Sequence, residues 1–275
     1  MSTTVSRRRA TLSYVLIGIF VAVTVLPFLY MVSLSLQTEA ETFAGVPVLI
    51  PAAPQWHNYV EIWNLAPFGR FLFNSFFVAG AITLSHLFFD PLAGYVFAKY
   101  HFPLKHVIFL LILGTLMIPF FIRMIPLYVM MANWGWLNSY QALIVPFLMS
   151  AYGIFLMRQF IQPIPTDLID AARLDGATEF GIYWRIILPQ CKPALAALGL
   201  FTFVYQINEF IWPLIITNTT EMRTMTIGLT LFNQESFTQW QYTATGALIL
   251  FVPCLLLFIA TQRWFVRGIV LSGIK

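Results

Sequence analysis

Thr11-Leu-Ser-Tyr-Val-Leu-Ile-Gly-Ile-Phe-Val-Ala-Val-Thr-Val-Leu-Pro-Phe-Leu-Tyr-Met-Val-Ser-Leu-Ser-Leu36 contains no charged residue, and none falls between Arg9 and Glu39. A helix needs about 20 apolar residues to cross the hydrocarbon core of a bilayer. This stretch therefore predicts a membrane-spanning helix. The rest of the chain agrees. Of its 275 residues, 59% are hydrophobic and 9% charged, where a soluble domain carries about 25% charged residues. Lipid is the main solvent. The 27 Phe and 8 Trp suit lipid-facing and interfacial positions.

Five more segments have the length and polarity of spans: 71–98, 107–122, 140–160, 194–217 and 242–265. They predict an all-α polytopic membrane protein with six transmembrane helices. The strand alternation of a β-barrel is missing. The first run is too long for the apolar region of a cleaved signal peptide and is read as a retained helix. The expected organisation is a tail at 1–10, the first helix at 11–36, an external loop at 37–70, a core at 71–265 and a tail at 266–275. Four prolines (Pro47, Pro51, Pro54, Pro67) argue against a continuous helix in the external loop. The stretch 125–139 reads as too short and broken to span, with Trp134 and Trp136 at the outer interface.

Lys and Arg set the orientation. With the N-terminus inside, the inner segments hold Arg7, Arg8, Arg9, Lys99, Lys105, Arg158, Arg173, Arg185, Lys192, Arg263, Arg267 and Lys275. The outer ones hold only Arg70, Arg123 and Arg223 of the 15. Both termini are thus expected in the cytoplasm, with the chain in the cytoplasmic membrane and lipid as a constant partner. The scattered basic residues form no dense stripe, which argues against nucleic acid. Cys191 and Cys254 read as packed free thiols.

The inner loop at 162–193 is unusual. Pro163-Ile-Pro-Thr-Asp167 starts a helix, with Thr166 able to cap and Asp167 in the first turn. Leu168, Ala171 and Ala172 mark an apolar face. Gly176 suits a left-handed position after the helix. Phe180, Tyr183, Trp184 and Ile187 mark a second helix, closed by Pro189. Aromatics of this kind anchor interfaces. The plain alternative is a loop lying on its own membrane domain.

Asp170-Ala-Ala-Arg-Leu-Asp175-Gly176-Ala177, followed by Ile186-Ile-Leu188-Pro189, resembles the EAA loop of binding-protein-dependent ABC importer permeases. That pattern reads Glu-Ala-Ala-x-x-x-Asp-Gly-Ala, or a version one residue shorter, and then Ile-x-Leu-Pro. Asp170 stands for the leading Glu, and Tyr183 for the usual aromatic. Met117-Ile-Pro119, Ile125-Pro-Leu-Tyr128, Gln159-Phe160, Ile164-Pro165 and Asn208-Glu-Phe-Ile-Trp-Pro-Leu214 resemble the carbohydrate-uptake branch, with Ile207 where that branch has Trp. Arg267-Gly268 and Gly273-Ile-Lys275 resemble the tail of the maltose-type second permease.

The resemblance implies a type I importer permease fold and a sugar or sugar-derivative cargo. It implies ATPase coupling through Asp170, Ala171, Ala172, Asp175, Gly176, Ala177, Tyr183, Ile186, Leu188 and Pro189. It implies a homologous second permease completing a heterodimer, a dimer of ATP-binding subunits that hold ATP and Mg, and an extracytoplasmic solute-binding protein. The loops 37–70 and 218–241 would receive that protein.

No Gly-x4-Gly-Lys-Ser/Thr occurs, so this chain is expected to bind no nucleotide or other cofactor itself. The 4 His are scattered, with no metal-ligand spacing. No catalytic set is recognisable, so no enzyme activity is expected. A secondary transporter would need a coupling-ion site, for which Asp90 and Glu209 are the only ionisable candidates in the spans. Ionisable residues at membrane depth suggest a pathway. Asn208, Glu209, Trp212 and Asp90 are accordingly substrate-path candidates, with Trp212 able to stack on a sugar. Pro91, next to Asp90, is expected to disrupt the second span and leave backbone groups free there. Each also has a structural alternative: Asn208 and Glu209 can bond a neighbouring helix, Asp90 can serve packing or subunit contact, and His86 reads as a packing residue. Away from their ends the spans hold no Lys or Arg, which suggests a neutral or weakly cationic cargo.

Overall fold

The computed structural model describes residues 2–232 and 238–272, with side chains described for 10–232 and 238–262. The tail motif Gly273-Ile-Lys275 and part of the 218–241 loop lie outside the described residues. In chain order the helices begin with α1 (Ser2–Ser35), α2 (Glu39–Thr42), α3 (Asn58–Leu65), α4 (Phe68–Lys99) and α5 (Lys105–Gly114). Next come α6 (Phe120–Asn133), α7 (Tyr140–Ile144), α8 (Ala151–Ile161), α9 (Thr166–Leu174) and α10 (Glu179–Ile182). The remainder are α11 (Leu188–Gln190), α12 (Lys192–Ile207), α13 (Ile211–Ile216), α14 (Met225–Gly228) and α15 (Trp240–Ser272). No strand occurs among the described residues.

Four stretches are long and apolar enough to cross a membrane: Ala10–Ser35, Phe68–Lys99, Tyr140–Ile161 and Trp240–Gln262. Two bent pairs supply the others. Lys105–Met117 meets Phe120–Asn133 at 100°, and Glu179–Gln190 meets Lys192–Ile207 at 81°. Counting each pair as one span gives six. The expected third span therefore stops short of 122. Pro119 disfavours helix at the residue before it, and Ile118 is extended (φ −88°, ψ 111°). Residues 120–133, expected to be partly a broken external segment, form α6, which carries Arg123. The expected fifth span likewise ends at Ile207 and resumes as α13.

The chain divides into two compact units. One comprises the chain up to Phe68 with Leu229–Val252. In it, the Asn58 side chain donates to the Ser35 and Gln37 carbonyls, and a Thr38–Glu41 capping box starts α2. The external loop is thus two short helices between turns, as its prolines demand. The membrane window of α1 buries none of its residues in this chain.

The second unit comprises Gly69–Gly228 and the chain from Pro253. Its spans break inside the membrane, where water cannot satisfy freed backbone groups. The break between α7 and α8 is held by α4. Ser85 Oγ donates to the Leu148 carbonyl at 2.9 Å. His86 Nε2 lies 2.7 Å from the Phe147 carbonyl, which can only accept. Asp90, fully buried, accepts from Ser150 N at 3.1 Å and Ser150 Oγ at 3.2 Å. Ser150 Oγ then caps α8 by accepting from Gly153 N at 2.8 Å. Pro91 does not break α4, contrary to expectation; the helix runs through it.

Gly153 is required by this arrangement. A Cβ there would lie 1.9 Å from Asp90 Oδ2. Gly153→Ala should destabilise the detergent-solubilised protein by about 1–3 kcal/mol, the range for overpacking a filled site. Thermal unfolding measures this, and an unchanged midpoint would contradict the clamp.

Candidate coupling surface and translocation path

The loop at 162–193 folds into two helices set against the spans. α9 ends in a Schellman motif: Gly176 N donates to Arg173 O at 3.0 Å and Ala177 N to Ala172 O at 2.9 Å. Gly176 takes φ +79°, as expected for it. Thr166 does not cap. It is the first helical residue, and Pro165 occupies the cap position without a side-chain bond. Thr178 caps α10 by accepting from Gly181 N at 3.1 Å.

Beyond α10 the chain forms a π turn, Tyr183–Ile187, and runs on through α11. Pro189 was expected to close this helix. Instead its ring and missing N–H are accommodated by the wider turn before it.

Two faces separate. Ile169, Ala172, Ile182, Tyr183 and Ile187 are buried with Met157 and Ile161 of α8 and Ala194 and Leu198 of α12. The outward face carries Leu174, 90% exposed, and Phe180, 61% exposed, with Leu168 and Trp184 beside them. The face expected from Leu168, Ala171 and Ala172 is therefore split: Ala172 points in and the other two point out. Tyr183, expected at the partner contact, is 3% exposed and packs inward against Tyr95. Asp170, Ala171, Asp175, Gly176, Ala177 and Pro189 lie on the exposed side, with Ile186 and Leu188 between.

Polar ties lock the loop to α4. Lys99 Nζ donates to the Gln162 and Ile164 carbonyls. Arg173 bridges the Asp-Gly turn, donating to Glu179 Oε1 at 2.7 Å and Asp170 Oδ1 at 3.0 Å, while Tyr100 donates its hydroxyl to Glu179. These residues were not singled out from sequence. The opposite charges of Arg173 and Glu179 flanking a Gly turn were the available signal. Burial pushes the Cys191 thiol up to about 11, so it stays a packed thiol.

The path candidates do not form one cluster. Glu209 accepts from Ile211 N at 3.0 Å and Trp212 N at 3.2 Å, holding the first turn of α13. Asn208, exposed, donates to Val204 O at 2.7 Å. Trp212 cannot stack on a sugar here. It is 1% exposed, donates Nε1 to Ala142 O at 2.9 Å, and meets Phe120 and Phe147 edge-on. Asp90 belongs to the α7–α8 clamp. Exposed Tyr205 lies close enough to Glu209 and to Arg123 to feel their charges, both unrecognised from sequence as neighbours. Among the described residues no His, Cys, Asp and Glu group could hold a metal ion.

Hydrogen bonds from Arg173 foremost, and then from Tyr100, hold the Glu179 carboxyl below its usual value. A lowered folded-state value means the tie stabilises above the ordinary carboxylate range. It is lost as pH falls through the lowered value. Amide protection across 170–182 should therefore drop between about pH 5 and 3. In Glu179→Gln it should be weak at both ends, as measured by hydrogen exchange corrected for intrinsic rate. Equal protection in both proteins would remove Glu179 from this role.

Residues 91–270 match the family described as "Binding-protein-dependent transport system inner membrane component". The chain is 38% identical over 240 residues to the sn-glycerol-3-phosphate transport system permease protein UgpE of Yersinia enterocolitica, covering 84% of this chain and 85% of that protein. It is 33% identical over 266 residues to the Escherichia coli O1:K1 / APEC protein of that name, covering 94% and 95%. A chain of a bacterial ABC transporter involved in the import of alginate superposes with a TM-score of 0.83 at 22% identity, covering 96% and 99%. That likeness shows a shared fold, the type I importer permease fold. By its match over most of its length, this chain belongs to the family of binding-protein-dependent transport system inner membrane components, and it is a membrane transporter subunit rather than an enzyme.

Proposed function

We propose that the chain is one of two permease subunits of an ATP-driven importer for a sugar derivative, coupled to its ATPase through the outward face of α9 and α10. The observation that carries this is the two-faced loop. Leu168, Leu174, Phe180 and Trp184 are exposed where no water-facing loop needs them, on a base buried against α8 and α12. Large exposed aromatics and aliphatics of this kind mark interaction sites. A partner that grips this face moves the ends of two spans with it. ATP and Mg belong to that partner. The Lys and Arg bias supports cytoplasmic termini, on the same side as the loop.

A companion permease has its own support. An apolar groove of about 1120 Å³ runs past Gly80, Thr83, Leu84, Ala196 and Gly199. A Cβ on Gly80 would meet nothing within 4 Å, so no contact inside this chain explains a glycine there. The buried Thr83 hydroxyl has no partner among the described residues. Small residues and hydroxyls serve close helix packing in membranes.

The cargo expectation shifts. It rested on spans free of Lys and Arg, yet Arg123 lies within α6, exposed and close enough to Tyr205 for its charge to act there. The relatives named above are permease proteins of sn-glycerol-3-phosphate transport systems. Arg123 suits a polyol bearing an anionic group, and this reading replaces the neutral one.

Tagged protein extracted gently from its host should bring down an ATPase, a second permease and a solute-binding protein. Recovery of the chain alone, still transporting, would overturn the proposal. Gly176→Val should cost about 1–2 kcal/mol through its left-handed backbone alone, since its side has open space. Transport should fall at least tenfold while ATP hydrolysis persists or assembly fails. Wild-type transport in that variant would contradict coupling through this turn.

A further inference from the structure

Between the end of α4 and the start of α5 lies a cavity of about 390 Å³. His101, Lys105, His106 and Arg158 line it with Phe102 and Phe109, and no acidic side chain does. Arg158 reaches in from α8. Its Nε donates to Phe97 O at 3.2 Å and its guanidinium sits 4.3 Å above the Phe109 ring. These contacts fix the guanidinium but supply no anion. Lys105 Nζ donates to Tyr100 O at 2.7 Å and is close enough to Arg158 for their charges to repel. Neither cation has a carboxylate partner among the described residues. Two like charges held together beside a membrane call for a bound anion.

The start of α5 adds to this field. Its cap residue, Leu104, has φ 59° and makes no side-chain capping bond. The positive end of the helix dipole therefore faces the cavity mouth uncapped.

What borders the cavity identifies the anion. Leu104, Val107, Ile108 and Leu111 are 70%, 50%, 40% and 68% exposed. Their spacing puts them on one face of α5, a stripe leading away from the cations. A free phosphate has no use for such a stripe. Lys99 at the end of α4 and Lys105 at the start of α5 place the cavity at headgroup depth. Basic pockets between membrane helices take anionic lipid headgroups.

We infer that this pocket holds the phosphate of an anionic phospholipid, with its acyl chains along Leu104, Val107, Ile108 and Leu111. The inference rests on the membrane-spanning reading and not on the coupling surface, so the two can fail separately.

The test is native mass spectrometry of the detergent-purified protein, with whatever subunits accompany it, titrated with phosphatidylglycerol or phosphatidylcholine. The wild type should retain one phosphatidylglycerol in clear preference to phosphatidylcholine. Lys105→Gln and Arg158→Gln should each weaken that preference about fivefold, the worth of one cation near a charged lipid. Arg158→Gln also loses its Phe97 contact, so Lys105→Gln, with unchanged helical circular dichroism, decides if Arg158→Gln fails to fold. Equal retention of the two lipids by the wild type would overturn the inference. So would an unchanged preference in folded Lys105→Gln. Displacement of phosphatidylglycerol by inorganic phosphate would show a free-anion site instead and would also overturn it.

Discussion

Hydrogen bonds from α4 to the broken fourth span are the constraint on which the rest of the second unit depends. Lipid offers no partner to a freed carbonyl or N–H, so each interruption must be satisfied by protein. Ser85, His86 and Asp90 do this for residues 147–150, and the Glu209 carboxylate does it for the start of α13. Satisfied in this way, a span can bend without exposing polar backbone to hydrocarbon. The same bonds consume the ionisable side chains that would otherwise suggest a coupling-ion site. A transporter whose membrane carboxylates are already engaged needs its energy from elsewhere, which agrees with an ATPase partner.

On the proposed coupling, that energy enters where the chain leaves the membrane, and the loop at 162–193 is suited to pass on displacement rather than absorb it. Its inner face shares one apolar core with α8 and α12, its first turn is tied to Lys99 at the end of α4, and its Asp-Gly corner is bridged by Arg173. Well-packed interiors transmit strain because they have little free volume to take it up. The aromatic and aliphatic residues left outside are then free to meet a partner.

Much of this was legible from residue order. Spans one, two and six follow from long, largely apolar runs, and Gly176 from its place after a helix. Interruptions were harder to read. Pro91 looked like a break and is none, because α4 carries it within a continuous helix. Pro119 is a true break, since its neighbour is extended and α6 turns away by 100°. Local sequence cannot separate these cases, because the surrounding helices decide whether the lost bond is replaced. The same limit explains Trp212. A membrane Trp near Asn and Glu reads as a sugar platform, yet only the tertiary fold shows its ring enclosed by Phe120 and Phe147. Tyr183 and Trp184 are adjacent and their rings meet edge to face 5.6 Å apart, yet only Tyr183 is buried, a distinction that helical periodicity alone does not give.

The central claim is that the outward face of α9 and α10 contacts the ATPase. A photo-cross-linking amino acid at position 174, in the complex within native membranes, tests it most directly. The account predicts an adduct with the ATPase subunit whose yield changes when nucleotide closes the ATPase dimer. Adducts with lipid or with this chain alone, insensitive to nucleotide, would contradict it.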